Sequence, residues 1–161
     1  MRGALAAALL AFAIARPAIA EVAVVDGLGR TVRLAAPAKR ILTLAPSITE
    51  AAFAVGAGAR VAGASAWSDF PPEAARLPVV SSSAGIDFET VAKLAPDLVI
   101  AWRDSFRVES IPRLESLGAR VYVDSSRTLA DVPRLLRDVA ALAGADAGPA
   151  VRAYATRLEA I

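Results

Sequence analysis

Four short apolar runs, each bounded by breakers, recur along this chain: Arg40 to Leu44, Val61 to Ala64, Asp97 to Trp102 and Arg120 to Asp124. Runs this short, apolar on consecutive positions, are the mark of strands buried on both faces, as in a parallel sheet. Parallel neighbours cannot be joined by tight turns and need crossovers, normally helices. The segments between the runs supply them. Ser47-Ile48-Thr49-Glu50 has the spacing of a capping box, which predicts a helix from Ser47 through Val55 with a stop at Gly56 and Gly58. Asp87 is placed to cap a helix to about Leu94, a helix over Val108 to Leu117 ends at Gly118, and Thr128 opens one with Leu129, Val132, Leu135, Leu136, Val139 and Leu142 at helical spacing. Pro71-Pro72 predicts a short helix to about Arg76, and Ser81 to Gly85 a loop. The expected fold class is therefore α/β: a largely parallel sheet with helices on both faces, a Rossmann-like lobe. A β-hairpin precedes it, with Val22 to Val25 and Arg30 to Leu34 flanking Asp26-Gly27-Leu28-Gly29. After Gly144 a last helix starts near Pro149 and is still running at Ile161.

Residues 1–20 read differently. Met1-Arg2, an apolar stretch from Ala4 to Ala15 and the exit Ala18-Ile19-Ala20 have the make-up of a secretory signal peptide cut before Glu21. The stretch is shorter than the roughly 20 apolar residues that cross a bilayer. No later segment approaches that length, so the expected product is exported and not membrane-spanning. With 56% hydrophobic and 21% charged residues it is no disordered chain, and without cysteine its stability must come from a core. Removing Arg2 and Arg16 from the 18 basic residues leaves 16 against 16 acidic, a net charge of zero. That balance provides no electrostatic case for nucleic acid as a partner. The absence of both histidine and cysteine removes the commonest general base, the Ser-His-Asp triad, thiolate catalysis and most transition-metal ligand sets. No residue pair reads as nucleophile plus base, and the carboxylates are scattered, so no enzyme is expected.

Ligands of parallel α/β sheets collect at the carboxyl ends of the strands. Here those ends are Leu44 to Ser47, Ala64 to Asp69, Val80 to Gly85 and Trp102 to Arg107. Trp67 and Trp102, the only tryptophans, both fall there. A core position is the ordinary alternative for a single tryptophan, but two flat rings on one rim suit a sizeable, partly apolar ligand held by stacking and burial. Phe70 and Phe106 either extend that wall or belong to the core. Ser81, Ser82 and Ser83 offer hydroxyls or form a plain polar loop, Arg103 and Arg107 offer donors to carboxylate, phosphate or amide oxygens, and Asp69 and Asp104 either accept from ligand amides or cap turns.

These residues resemble a known family. Asp26-Gly27-Leu28-Gly29-Arg30-Thr31-Val32 followed by Lys39 to Glu50, and then Asp87-Phe88-Glu89 to Ile100, resemble the amino-terminal lobe of the periplasmic binding proteins for iron siderophores and cobalamin. Ala66-Trp67-Ser68-Asp69-Phe70-Pro71-Pro72 and Val99-Ile100-Ala101-Trp102-Arg103 are most similar to its cobalamin-binding branch. The resemblance implies the substrate-binding component of an ABC importer, which captures cobalamin or a related corrinoid in the periplasm and delivers it to an inner-membrane permease. It implies aromatic ligand contacts at Trp67 and Trp102 and a carboxylate at Glu89 that docks on permease arginines; Ser83 and Arg103 join the expected ligand contacts on their own chemistry, and no resident cofactor or metal is expected. From the residues alone, Glu89 is equally a first-turn glutamate favoured by the helix dipole. Ser83 stands where the cobalamin binders carry a further tryptophan.

Members of that family have two lobes joined by a long helix and are about twice this length. The expected organisation is a signal peptide at 1–20, an amino-terminal lobe at 21–144 and the start of the connecting helix at 145–161, with the second lobe absent. Three other readings compete. A ferric siderophore would use arginines more than tryptophans. Haem would need an axial ligand, for which Tyr122 and Tyr154 are poorly placed in a strand and a terminal helix. The third is a truncated structural remnant that binds nothing. Mass spectrometry of exported protein should find Glu21 as its first residue; an intact Met1 in that fraction would overturn the signal-peptide reading.

Overall fold

The computed structural model describes residues 21–160; residues 1–20, read above as a signal peptide, and Ile161 lie outside the described residues. Its strands are β1 (Val22–Val25), β2 (Thr31–Leu34), β3 (Ile41–Thr43), β4 (Val61–Ser65), β5 (Val79–Ser82), β6 (Gly85–Ile86), β7 (Leu98–Trp102) and β8 (Arg120–Asp124). The helices are α1 (Pro46–Ala54), α2 (Phe88–Leu94), α3 (Ile111–Ser116), α4 (Val132–Ala143) and α5 (Gly148–Glu159). β1 and β2 form the expected antiparallel hairpin, and the other six strands make one sheet in the order β6-β5-β4-β3-β7-β8. Every pair in it is parallel except β5 with β6. This is the predicted α/β class with one antiparallel edge.

Apolar runs become two-sided strands because both faces of the sheet are covered. Ile41, Leu98, Ile100 and Tyr122 pack with Ile48 and Ala52 of α1 and Leu136 and Val139 of α4. Leu42, Val99, Val121 and Val123 pack on the opposite side with Val91 of α2 and Leu114 of α3. Each such side chain, fully buried, contributes about 1.5–3 kcal/mol. The Thr128 start is realised as a 3₁₀ turn over Leu129–Asp131, where the Asp131 carboxylate accepts from the Thr128 amide and hydroxyl; α4 follows from Val132, and Gly144 ends it in the left-handed region as predicted. Asp87 likewise caps α2, accepting from the amides of Glu89 and Thr90.

Three local expectations fail. The capping box at Ser47 and Glu50 does not form: α1 starts a residue earlier, at Pro46, with Ala45 as an N-cap that lends no side chain. Proline presets the first helical φ and has no amide to satisfy, so the turn closes one residue sooner. Ser47 and Glu50 are both exposed. Nor are Ser81 to Gly85 a loop. Ser81 and Ser82 complete β5, the chain reverses at Ser83 and Ala84, and Gly85 and Ile86 pair back as β6. Serine is a poor strand former in isolation, but pairing with β4 on one side and β6 on the other overrides the local preference. The segment after Pro71-Pro72 shrinks to a 3₁₀ turn at Ala74–Arg76.

The hairpin is fastened to the outer edge of β8. Asp26 is buried, and its carboxylate accepts from the amides of Leu28 and Arg30 at 3.0 and 2.9 Å and from the Arg30 guanidinium at 3.0 and 2.7 Å. That guanidinium also donates to the Val121 carbonyl at 2.9 Å, and the Gly27 amide donates to Val123 at 2.7 Å. Glycine is required at 27, since a Cβ there would lie 2.5 Å from the Cβ of Ser125. Asp26→Ala removes four accepted hydrogen bonds at once. It should cost about 1–3 kcal/mol in urea unfolding. A change below about 0.5 kcal/mol, the range of ordinary surface substitutions, would rule out the anchor.

Candidate ligand-binding cleft

Successive parallel strands spread from β3 in both directions: β4 and β5 to one side, β7 and β8 to the other. At the β3–β7 boundary the connections leave over opposite faces, and a crevice opens at the carboxyl ends. A cleft of about 780 Å³ lies there, within the size range of small-molecule sites. Its floor is Leu44 and Ala45, after β3. Trp67 and the β5–β6 turn with Ser83 form one wall; Trp102, Phe106 and Arg107 form the other, with Phe88 and Arg113 alongside.

The two tryptophans are held in different ways. Trp67 is 85% exposed and sits at φ +69°, in the left-handed region that bulky residues avoid. The neighbouring Ser68 is buried and anchors the turn. Thr43 and Thr49 share a hydrogen bond of 2.7 Å, and the Thr49 hydroxyl reaches Ser68 at 3.0 Å. Ser68 in turn meets Ser65 at 3.0 Å. Four hydroxyls thus run beneath the cleft from β3 to β4, and with this pinning the rest of the structure supports the strain at Trp67.

Trp102 is half-buried, and its indole N–H donates to the Ser126 carbonyl at 2.9 Å. Ser126 is gripped by Asp124, which accepts from its amide at 3.0 Å and its hydroxyl at 2.8 Å. Asp124 is buried and paired with Arg134 at 3.2 Å. Arg134 also pairs at 3.3 Å with Asp138, which accepts from the Tyr122 hydroxyl at 2.6 Å. Burial, and then the Asp138 hydrogen bond, push the Tyr122 phenol far up, so it stays a neutral donor. Farther out, Arg127 clasps Asp104 at 2.9 and 2.6 Å, joining the loop after β7 to the loop after β8. The Arg127 hydrogen bond holds the Asp104 carboxyl below its usual range. Amide donation from Arg127 and Thr128, together with the Thr128 hydroxyl, does the same for Asp131.

Of the four residues expected to touch ligand, Trp67, Ser83 and Trp102 line this cleft. Arg103 does not. Its guanidinium turns to the hairpin, donating to the Gly27 carbonyl at 3.3 Å, and its amide donates to Asp124. Arg107 lines the cleft in its place. Glu89 stands outside, exposed on the first turn of α2 and paired with Lys93 at 2.6 Å. Phe106 joins the wall, whereas Phe70, 63% exposed, points elsewhere. Sequence reasoning missed Phe88 and Arg113, whose guanidinium lies 3.8 Å from the centroid of the Phe88 ring. Phe88, directly after the cap Asp87, was within reach of the pattern; Arg113 reads as an ordinary polar helix position.

A model of the periplasmic binding proteins matches residues 41–149, from β3 into the first turn of α5. The chain belongs to the periplasmic binding protein family. It is 39% identical over 102 residues to a vitamin B12-binding protein of Pectobacterium carotovorum and 40% identical over 104 residues to one of Salmonella typhimurium. These alignments cover 63% and 65% of this chain but only 37% and 38% of those relatives. Among solved structures, the periplasmic vitamin B12-binding protein BtuF of Vibrio cholerae superposes with a TM-score of 0.64 at 33% identity, over 77% of this chain and 49% of BtuF. The heme-binding protein HmuT superposes with a TM-score of 0.73 over 94% of this chain and 51% of its own, and at 24% identity it shares the fold. No helix among the described residues is long and apolar enough to cross a membrane. Thr49→Val breaks the hydroxyl chain at its middle. It should cost about 1–3 kcal/mol and speed amide exchange across residues 65–69; unchanged exchange there would separate Trp67 from this chain.

Proposed function

We propose that this chain provides a substrate-binding lobe for an ATP-driven importer and that its cargo is cobalamin or a related corrinoid. One observation carries the reading: two tryptophans from opposite walls face one cleft, in a chain 40% identical over 104 residues to a vitamin B12-binding protein. A broad ring system with an amide-rich periphery suits aromatic walls for its faces and serine hydroxyls for its edge. Nothing in the cleft pairs a nucleophile with a base, so the chemistry proposed is binding and release. The signal peptide would place the protein in the periplasm. Residues 21–144 would form the lobe, α5 would start the helix toward a second one, and Glu89, outside the cleft, would meet the permease.

Haem is the competing cargo, since a relative at 26% identity, BhuT, was solved in complex with two hemes. Neither tyrosine of this chain is offered to the cleft: Tyr122 is buried against Asp138, and the Tyr154 hydroxyl donates to the Leu129 carbonyl. Calorimetric titration with cyanocobalamin, a ferric siderophore and hemin tests the proposal. The corrinoid should bind, and Trp67→Ala and Trp102→Ala should each weaken it by about 1–3 kcal/mol, roughly 5- to 150-fold. Binding of siderophore or hemin alone would replace the corrinoid and leave the importer role standing.

A further inference from the structure

The charge of the cleft is one-sided. Its lining includes two guanidinium groups, Arg107 and Arg113, and no carboxylate. This is no spill-over from a basic protein, because residues 21–161 carry equal numbers of acidic and basic side chains. Of the acids near the cleft, Asp104 pairs with Arg127 and Asp124 with Arg134, while Glu109, exposed two residues beyond Arg107, is not among the lining residues and pairs with neither arginine.

Most other arginines near the sheet are already occupied. Arg30, Arg33, Arg127 and Arg134 pair with carboxylates, while Arg40, Arg60 and Arg103 donate to backbone carbonyls. Among the described residues, no carboxylate lies within ion-pair distance of Arg107 or Arg113. Arg113 is nevertheless positioned. Its guanidinium carbon lies 3.8 Å from the centroid of the Phe88 ring, a cation–π contact, and no ion pair among the described residues engages its N–H groups. A planar fork of donors, oriented and unpaired, matches a carboxylate or phosphate bidentately.

We infer that the ligand carries an anionic group, a carboxylate or a phosphate, which Arg113 on its Phe88 platform takes, with Arg107 supplying the second positive charge of the cleft. This rests on the corrinoid reading for the choice of probes only. In such a ligand the tryptophans bind the ring and the α3 end of the cleft selects for the charged substituent.

Three corrinoids separate the possibilities: dicyanocobyric acid, with one free carboxylate; cyanocobalamin, with a phosphodiester; and dicyanocobinamide, with neither. Calorimetry on the chain in low salt should give at least one anionic corrinoid roughly tenfold tighter binding than dicyanocobinamide. Which of the two gains tells carboxylate from phosphate. The preference should shrink at high ionic strength, where screening acts over a few ångströms. It should collapse in Arg113→Gln, fall partly in Arg107→Gln and persist in Arg120→Gln, an arginine outside the cleft. Equal affinity for all three, or a preference that survives Arg113→Gln, would overturn the inference while leaving the corrinoid assignment intact. If no corrinoid binds, the assignment falls, and hemin against its dimethyl ester repeats the comparison. Selectivity for the free acid that Arg113→Gln abolishes would support the anionic subsite; equal binding, or none, would overturn it.

Discussion

Parallel pairing of β3 with both β4 and β7 is the constraint from which the rest of the molecule follows. A strand hydrogen-bonded on both sides and covered on both faces has no solvent-facing position, so Ile41, Leu42 and Thr43 are all buried. Every connection must then cross the sheet and return to the same end. Because the strands after β3 go one way and those from β7 the other, the connections diverge at one boundary and leave a gap. The cleft is the space that this winding cannot fill.

Around that gap the structure uses polar chains as mechanical parts. Hydroxyls of Thr43, Thr49, Ser68 and Ser65 hold the turn that presents Trp67, while Asp124, Ser126 and Arg134 hold the ring of Trp102. No buried side-chain polar atom among the described residues is left unpartnered. The cost of burying such groups is therefore offset where they lie, and the rim gains definition without extra apolar area.

The fold was readable because its strands are short apolar runs and its helices carry caps and glycine stops, signals that act within a few residues. Asp87, Thr128 and Gly144 did what local chemistry predicts. The errors arose where partners distant in sequence decide. Ser81 and Ser82 became strand because Ser65 and Ile86 pair with them or their neighbours, and Ser47 lost its capping role to the proline beside it. The same holds at the cleft. Trp67 and Trp102 could be placed by strand-end position alone, but the aim of Arg103 toward the hairpin, and of Arg113 onto Phe88, depends on contacts 76 and 25 residues apart along the chain. Spacing rules carry no information about such contacts.

The hairpin's grip on β8 has a consequence for how this protein can meet others. At one margin of the six-stranded sheet, outward carbonyls are already taken by Arg30 and Gly27; at the other, β6 is two residues long and runs against its neighbour. Neither margin presents a long, straight template to which a foreign strand could add. Edge-to-edge strand addition along the six-stranded sheet is thereby disfavoured, and that sheet is protected from growing sideways into its own copies.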